Sequence, residues 1–530
     1  MWRNIFKLLT GTLVSRVFGF IREIIVASYF GTSRVADAFT LALIFPNLFR
    51  QILGEDMVER AFMPPFKTIY DQGNQARAWR FISVICNWFF IILMVATFLL
   101  YLVIPLFFSL RTHFPHLFGF IFASGDFDYE LSLKLILILL PFMLFIGLAS
   151  LVGSILNFFE KNWIFAFAPV MLSLGVIAGI VFLQPLIGGY SIAVGYVLGA
   201  LLQLVIQLPF LFNRTFKSDH QLRYHPILKD PEQDFGLIRQ ESRIITYNAL
   251  FNKSSEVFSR FLATTLVPGA TSSIFYAQRV YQLPFAILSL SISRAVNPIL
   301  NRMKSLQDFK GFDQIYSRGL RLNYFLFIPV SLVMIIGAPE LVNLLLRRGS
   351  FDASSLDLTS WALVWYSVGL LPMSMVGYYT RVLSLFNKNR YALTMSMIGS
   401  GINILFSLVL VQFSLLNHAG IALANSLAFF INWLVIRRYT HRELGDFIRH
   451  EPSRPLFYGA VGMLSLALIG ITRYFDLVFD QGKLESMISL TIKGLVVIGI
   501  WLALYVSMNP IPTVFSRLSQ RIRRKVQGRG

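Results

Sequence analysis

At least six ionisable side chains that bear on function lie within the first two apolar stretches of this chain, which are otherwise long enough to cross a membrane. They are Arg16, Arg22, Glu23, Asp37, Arg50 and Glu55. A charged side chain at the centre of a transmembrane helix costs about 2.5–3.5 kcal/mol, so a polar cavity or an anionic partner must offset that cost. Arginine suits a phosphate because its planar guanidinium donates two parallel hydrogen bonds. The pattern predicts a cationic, water-filled cavity that binds an anion inside a membrane protein.

The spacing of these residues predicts that they share helix faces. Ser15 and Arg22 are seven residues apart, which places them on nearly one face of a helix. Arg16 and Glu23 have the same spacing and form the neighbouring stripe. Glu23 is therefore a natural ion-pair partner for Arg16, and a purely structural role for Arg16 stays open.

Two further stretches combine an arginine with an amide side chain. Asn47 and Arg50 follow Pro46 in the second stretch, and Arg279 and Gln282 are three residues apart in a later one. A proline kink within a bilayer frees backbone groups that must line a cavity or pack on protein. The pattern favours a cavity-lining role for both arginines.

Internal ion pairs are the structural alternative for every arginine within the membrane. The candidate acidic partners are Glu23, Asp37, Glu55 and Glu256. These carboxylates are too few to neutralise all the intramembrane arginines, which leaves net positive charge at depth. We therefore favour anion binding for Arg22, Arg50 and Arg279. Both interpretations stay open for Arg260 and Arg381.

The composition indicates a polytopic membrane protein. Hydrophobic residues make up 55% of the 530 residues and charged residues only 14%, whereas soluble chains contain about 25% charged residues. The net charge of +20 arises from basic residues in alternate loops and in the C-terminal tail. That distribution follows the positive-inside rule, so it favours contact with anionic membrane lipids and disfavours a nucleic-acid partner.

The sequence contains no pattern typical of an enzyme or a metal site. HExxH, GxSxG, Walker A and Cys-His metal spacings are all absent. The single cysteine, Cys86, lies in an apolar stretch, so we expect neither a disulfide framework nor a thiolate metal site. Asp126 and Asp128 form a DxD pattern in a loop, where solvated side chains are the simpler interpretation. We expect no cofactor and no catalytic residue.

Apolar runs of about 20 residues predict an all-α fold with fourteen transmembrane helices. The approximate spans are 5–30, 36–62, 81–110, 131–158, 162–184, 187–213, 240–266, 271–301, 319–346, 356–386, 391–415, 417–438, 453–475 and 484–508. The second and seventh are the weakest because both contain several charges. The basic loops 214–239, 302–318 and 437–454 fall on the same side as the basic tail, so both termini are expected in the cytoplasm.

An internal repeat predicts two pseudo-symmetric six-helix lobes of the same orientation. The motif LLP at 139–141 recurs at 370–372, and the motif FEKN at 159–162 resembles FNKN at 386–389, both at offsets of about 230 residues. Parallel repeats of this kind build alternating-access transporters with a central site. The predicted organisation is a first lobe over 1–213, a linker over 214–239, a second lobe over 240–440, two extra C-terminal helices over 453–510 and a basic cytoplasmic tail over 511–530.

Four stretches of sequence together point to a family. They are SRVFGFIRE at 15–23; ADAF at 36–39 with PNLFR at 46–50 and GE at 54–55; AFMP at 61–64; and YAQRVYQLP at 276–284. In combination they resemble the MurJ (MviN) family of lipid II flippases, within the multidrug/oligosaccharidyl-lipid/polysaccharide exporter superfamily. The first three stretches follow the family order over about 50 residues, and the fold-level resemblance covers the whole chain.

The resemblance implies a flippase of the bacterial inner membrane. Such a protein moves lipid II, the undecaprenyl-diphosphate-linked peptidoglycan precursor, from the cytoplasmic to the periplasmic leaflet by alternating access. By resemblance, Arg22, Arg50 and Arg279 hold the diphosphate in a central cavity. The supporting charged or polar residues are Arg16, Glu23, Asp37, Asn47, Glu55 and Gln282. The last two helices would shape a groove for the lipid tail, and contact with other cell-wall synthesis proteins stays open.

The chain departs from the family pattern at several positions. The run GEDMVER at 54–60 replaces the usual Glu-Gly-Ala-Phe, and Gln282 stands where some members have a glutamate. Asn403 and Ser407 provide no carboxylate on the eleventh predicted helix, so sodium coupling is not expected. These departures concern gating and energetics more than the class of substrate.

Three rival functions follow from the same sequence. A flippase for another undecaprenyl-diphosphate-linked oligosaccharide would need the same cationic cavity. A membrane-embedded glycosyl or phosphotransferase would need a catalytic constellation that the sequence lacks. A cationic-drug exporter should have acidic rather than basic cavity residues, and a scaffold for cell-wall synthesis would leave costly buried arginines without a purpose.

Overall fold

The computed structural model describes residues 2–52, 57–113, 127–159, 161–212, 226–229, 236–386, 388, 390–413, 416–445, 447–448 and 482–508. All regular secondary structure in these ranges is helical. The α-helices are α1 Trp2–Phe30, α2 Arg34–Ala42, α3 Ile44–Phe49, α4 Met63–Asp71, α5 Gln75–His113, α6 Tyr129–Phe158, α7 Asn162–Ile187, α8 Tyr190–Phe212, α9 Gly236–Ala263, α10 Ala270–Ser305, α11 Phe309–Ile336, α12 Ala338–Leu345, α13 Ala353–Val368, α14 Leu370–Leu385, α15 Arg390–Leu410, α16 Ala419–Leu444 and α17 Lys483–Met508.

The described helices establish a multi-pass membrane fold. Eight of them are long and apolar enough to cross a membrane: α5, α6, α7, α8, α10, α11, α16 and α17. A ninth span forms if α13 and α14, which meet at an angle of 43°, count as one bent helix. Fourteen spans remain a prediction, because the expected helix 453–475 lies outside the described residues.

The second predicted span is broken, so the prediction of one continuous helix over 36–62 is wrong. It consists of α2, α3 and, after the undescribed residues 53–56, a π-helical turn at Val58–Phe62 that leads into α4. Pro46 lacks the N–H that would bond to the carbonyl of Ala42, and this explains the interruption between α2 and α3. Backbone groups freed in this way can persist in a membrane only beside protein or water.

Two later predicted spans also end or bend at a glycine. The expected span 319–346 divides into α11 and the short helix α12 at Gly337. The expected span 356–386 bends at Gly369, where α13 meets α14. There the hydroxyl of Ser426 donates to the carbonyl oxygen of Trp365 at 2.6 Å, which satisfies an acceptor that the bend leaves exposed.

Small residues allow the closest helix packing in the first half of the chain. A Cβ at Gly179 of α7 would lie 2.5 Å from the Cα of Gly195 in α8, and Gly175 meets Gly199 in the same way one turn further along. Helices in a membrane associate through such close contacts because lipid offers no hydrophobic drive between them. Helix α8 packs in turn on α6, and α1 packs on α7.

The last helix is attached to the second half by a buried polar cluster. Lys493 of α17 donates to Glu340 of α12 at 2.5 Å, and the hydroxyl of Ser489 donates to the same carboxylate oxygen at 2.8 Å. The amide of Asn343 donates to Ser486 at 2.7 Å. These contacts fix α17 against α12 and complement its packing on α11.

Candidate functional site

A polar cavity of about 320 Å³ lies between the two halves of the chain. Residues of α3, α9, α10, α13, α14, α15 and α16 form its wall. Its charged lining residues are Arg50, Lys253, Glu256, Arg260 and Arg279. Four cations face one carboxylate, so the described lining has three more positive than negative charges. This arrangement suits an anion with several negative charges.

The cavity brings together four of the residues that the sequence singled out. Arg50 and Asn47 reach it from α3 and its C-terminal end, and Arg279 and Gln282 reach it from α10. The Nε of Arg50 donates to the Oδ1 of Asn47 at 3.4 Å, across the first turn after Pro46. The broken second span thus places an arginine and an amide in the lining of the cavity that also contains the arginine and amide of α10.

Arg22 lies beside the cavity and not in its described lining. Its Nη2 donates to Glu23 Oε1 at 2.6 Å, and Arg279 Nε lies 3.9 Å from the same oxygen. Glu23 is only 3% exposed, and its Oε2 has no hydrogen-bond partner among the described residues. One carboxylate is therefore shared by two guanidinium groups, and it links Arg22 to the cavity through Arg279.

Aromatic rings support both guanidinium groups. The Arg22 guanidinium lies 5.3 Å from the ring centre of Tyr196 in α8, and that of Arg279 lies 4.6 Å from the ring centre of Phe275. Arg16, by contrast, is exposed on α1. In the described part of the chain Glu23 pairs with Arg22 and Arg279, which speaks against the open alternative that Glu23 pairs with Arg16. Helical spacing suggested that pair, but tertiary packing brings α10 to Glu23 instead.

A second shared carboxylate lies on α9. Glu256 accepts from Lys253 at 2.7 Å and from Arg260 at 2.9 Å. Arg260 also donates through Nη1 to the carbonyl oxygen of Thr40 at 3.0 Å, which fixes it across the two halves. Sequence reasoning left Arg260 open, named Glu256 only as a partner and missed Lys253. The signal was available, since residues at i, i+3 and i+7 of one helix share a face.

Asp37 does not line the polar cavity but joins the two halves. Its carboxylate accepts from the N–H of Gly269 at 2.6 Å, and from the N–H and hydroxyl of Ser272 at 2.8 and 2.6 Å. It therefore caps the N-terminus of α10, where the unpaired N–H groups and the helix dipole favour a negative charge. An ion pair with an arginine was the structural alternative for Asp37, and the structure gives its carboxylate a helix end instead.

Further contacts between the halves lie at the same end of the helices. The N–H of Ser350 donates to the Ser28 carbonyl at 2.7 Å, and the hydroxyls of Thr32 and Ser355 are 2.8 Å apart. The hydroxyl of Tyr276 donates to the Gly31 carbonyl at 3.0 Å. Gly31 has φ +53°, and a Cβ there would clash with the backbone oxygen of Ser350. We call this set of contacts, together with Asp37 and its partners, the closed end.

The remaining site predictions concern Glu55 and bound metals. Glu55 lies outside the described residues. Within the part of the chain that the structure describes, no three His, Cys, Asp or Glu side chains are grouped so that they could hold a metal ion. The described site therefore consists of basic and amide side chains around two shared carboxylates.

Comparison with known proteins shows which family this chain resembles. A family model described as "Lipid II flippase MurJ" matches residues 26–492. The "Probable lipid II flippase MurJ" of Vibrio cholerae is 27% identical over 510 residues, which cover 92% of either chain. The "Lipid II flippase MurJ" of Burkholderia cenocepacia is 27% identical over 487 residues, which cover 88% of this chain and 89% of the relative.

Two solved structures share the fold. A lipid II flippase MurJ in an inward closed conformation has a TM-score of 0.73 at 23% identity, and the match covers 94% of this chain and 98% of that one. An inward-facing multidrug resistance MATE family transporter of the MOP superfamily has a TM-score of 0.64 at 13% identity, and the match covers 84% of this chain and 98% of that one. At these identities the likeness shows the fold alone.

Proposed function

Because the chain belongs to the lipid II flippase MurJ family, we propose that its polar cavity holds the diphosphate of lipid II during translocation. The family makes it a multi-pass transporter of the inner membrane and not an enzyme. The observation that supports the site is the excess of three positive charges in the described lining. A diphosphate presents the complementary charge, and arginine forms paired hydrogen bonds with it.

In this proposal Arg50 and Arg279 contact the diphosphate first, because both line the cavity. Arg22 joins them through Glu23, which now occupies one side of both Arg22 and Arg279. A bound diphosphate competes with Glu23 for Arg279, and it adds the negative charge that the cavity lacks. Asn47 and Gln282 supply amide donors in the lining of the same site.

The chain is proposed to work by rocking two lobes, 1–213 and 240–440, around this site. With both termini in the cytoplasm, α1 runs outward, and the closed end lies on the periplasmic side. The cavity would then receive lipid II from the cytoplasmic leaflet. Translocation requires the closed end to open, which breaks the Asp37 cap on α10. Membrane potential is a suitable drive, since one charge moved through 100 mV is worth about 2.3 kcal/mol.

The test replaces the three arginines one at a time. Arg22→Ala, Arg50→Ala and Arg279→Ala should each fail to restore lipid II translocation in cells depleted of their own flippase, measured by accessibility of the lipid II headgroup at the outer face. Arg302→Ala on α10 is the matched control, because this arginine is exposed and lies outside the cavity lining. Normal translocation by all three variants, at normal expression, would refute the arginine site.

A further inference from the structure

An apolar pocket of about 570 Å³ adjoins the polar cavity. It lies between α3, α5, α9 and α15, and its wall includes Phe107, Phe258, Phe261, Leu262 and Leu408. Its volume is within the range of about 300–1,000 Å³ that is common for sites that bind small molecules. Leu250, which belongs to its wall, is 44% exposed. The pocket therefore opens towards the membrane.

The two cavities share a boundary. Leu48, Lys253 and Val257 line both of them. Lys253 lines both cavities, and its ammonium pairs with Glu256, which lines only the polar one, at 2.7 Å. A long basic side chain commonly takes this position between apolar and polar surroundings. The boundary thus suits a ligand whose charged group and hydrocarbon chain are joined directly.

We propose that this pocket binds the prenyl units nearest to the diphosphate, while the diphosphate occupies the polar cavity. The proposal rests on the proposed function and names the route of the lipid tail. A tail held at the seam of α3, α9 and α15 can leave the protein sideways into the bilayer, so the remaining prenyl units never cross a polar surface. This route differs from the groove that the family resemblance implies for the last two helices.

The pocket itself is tested by filling it. Leu408→Trp and Leu262→Trp enlarge side chains that line the apolar pocket and not the polar cavity. Leu405→Trp is the control, because Leu405 is 60% exposed on the same helix as Leu408 and lines neither cavity. Binding of inorganic pyrophosphate and of geranylgeranyl diphosphate to the purified full-length protein is measured by calorimetry.

Both pocket variants should weaken binding of geranylgeranyl diphosphate by at least about tenfold, which equals about 1.4 kcal/mol. Their affinity for pyrophosphate should stay within twofold of wild type, which also shows that they are folded. The control should change neither affinity. Equal effects on the two ligands, or no effect on either in both variants, would overturn the prenyl site.

A second measurement identifies the occupant. A photoreactive benzophenone amino acid is placed at position 408, or at 405 as control, and the protein is irradiated in vesicles of phospholipid with added geranylgeranyl diphosphate. A prenyl adduct at 408 alone supports the proposal, and a phospholipid adduct alone overturns it. If the cavity arginines do not bind diphosphate at all, Arg50→Ala will leave pyrophosphate affinity unchanged, and that result separates failure of the proposed function from failure of this inference.

Discussion

Glu23→Gln should tighten diphosphate binding, because Glu23 competes with the substrate for its arginines. In the structure this carboxylate is 2.6 Å from Arg22 and 3.9 Å from Arg279. Opposite charges about 4 Å apart attract by about 4 kcal/mol at an effective dielectric constant of 20. The Arg279 side chain is 35% exposed, so water screens part of that attraction.

After this discount we expect a gain of about 1–3 kcal/mol, or about 5–150-fold in the Kd for pyrophosphate. Two effects act in the same direction: Arg279 loses its internal partner, and one negative charge beside the cavity is removed. The glutamine can still accept a hydrogen bond from Arg22, which limits the loss of stability. Tighter binding should slow release, so lipid II translocation should fall while affinity rises.

Calorimetric titration of the purified variant with pyrophosphate measures the change, and thermal unfolding reports the fold. The control is Glu130→Gln, which removes a carboxylate that pairs with Lys134 on the exposed surface of α6. It should alter neither the Kd nor translocation. A Kd for Glu23→Gln that is unchanged or weaker, in a protein with normal thermal unfolding, would refute the competition between Glu23 and substrate.

Three further predictions concern the contacts between and within the halves. Asp37→Ala removes the acceptor of three hydrogen bonds at the closed end. In a background without Cys86, a cysteine placed at Thr32 should therefore react faster with a membrane-impermeant thiol reagent when Asp37 is replaced than when it is intact. An unchanged reaction rate would contradict the role of Asp37 as a cap. Gly31→Ala should impair lipid II translocation, because the added Cβ clashes with the backbone of Ser350 and the position has a positive φ. Gly19→Ala is the control and should not impair it, because the space around Gly19 is open. Equal translocation by the two variants would disprove the close approach of Gly31 to Ser350. Gly199→Ala should lower the free energy of unfolding, measured by denaturation, by about 1–3 kcal/mol, because the added Cβ overpacks α7 against α8. Gly494→Ala on α17 is the control and should leave that free energy unchanged, because no atom lies within 4 Å of the added Cβ.

The two shared carboxylates explain how a strongly cationic cavity can exist in a membrane protein without substrate. Glu23 and Glu256 each contact two basic side chains, and aromatic rings cover Arg22 and Arg279. Each carboxylate lowers the repulsion between neighbouring cations, yet the lining keeps a net positive charge. An arginine cavity of this kind can fold without substrate and, under the proposed function, still attract an anion.

The sequence by itself determined the class of the protein and the chemistry of its site. A charged fraction of 14% in a chain of 530 residues requires a membrane, and arginines within apolar helices require a cavity or a partner. Local spacing also placed Asn47 beside Arg50 and Gln282 beside Arg279, and the structure brings all four into the lining of one cavity. These features depend on neighbours within two helical turns, which a sequence displays directly. Even the break in the second span has a local cause, Pro46.

Only the tertiary structure decided which distant groups meet. Asp37 finds its partners at Gly269 and Ser272, more than 200 residues away, and Glu23 meets Arg279 over a similar distance. The spacing along α1 offered Arg16 as the partner of Glu23, and nothing in that spacing reveals that α10 packs alongside. The apolar pocket beside Lys253 likewise exists only where four helices meet. Periodicity specifies which face of a helix is apolar, but the packing of the helices against one another selects the neighbour of each face.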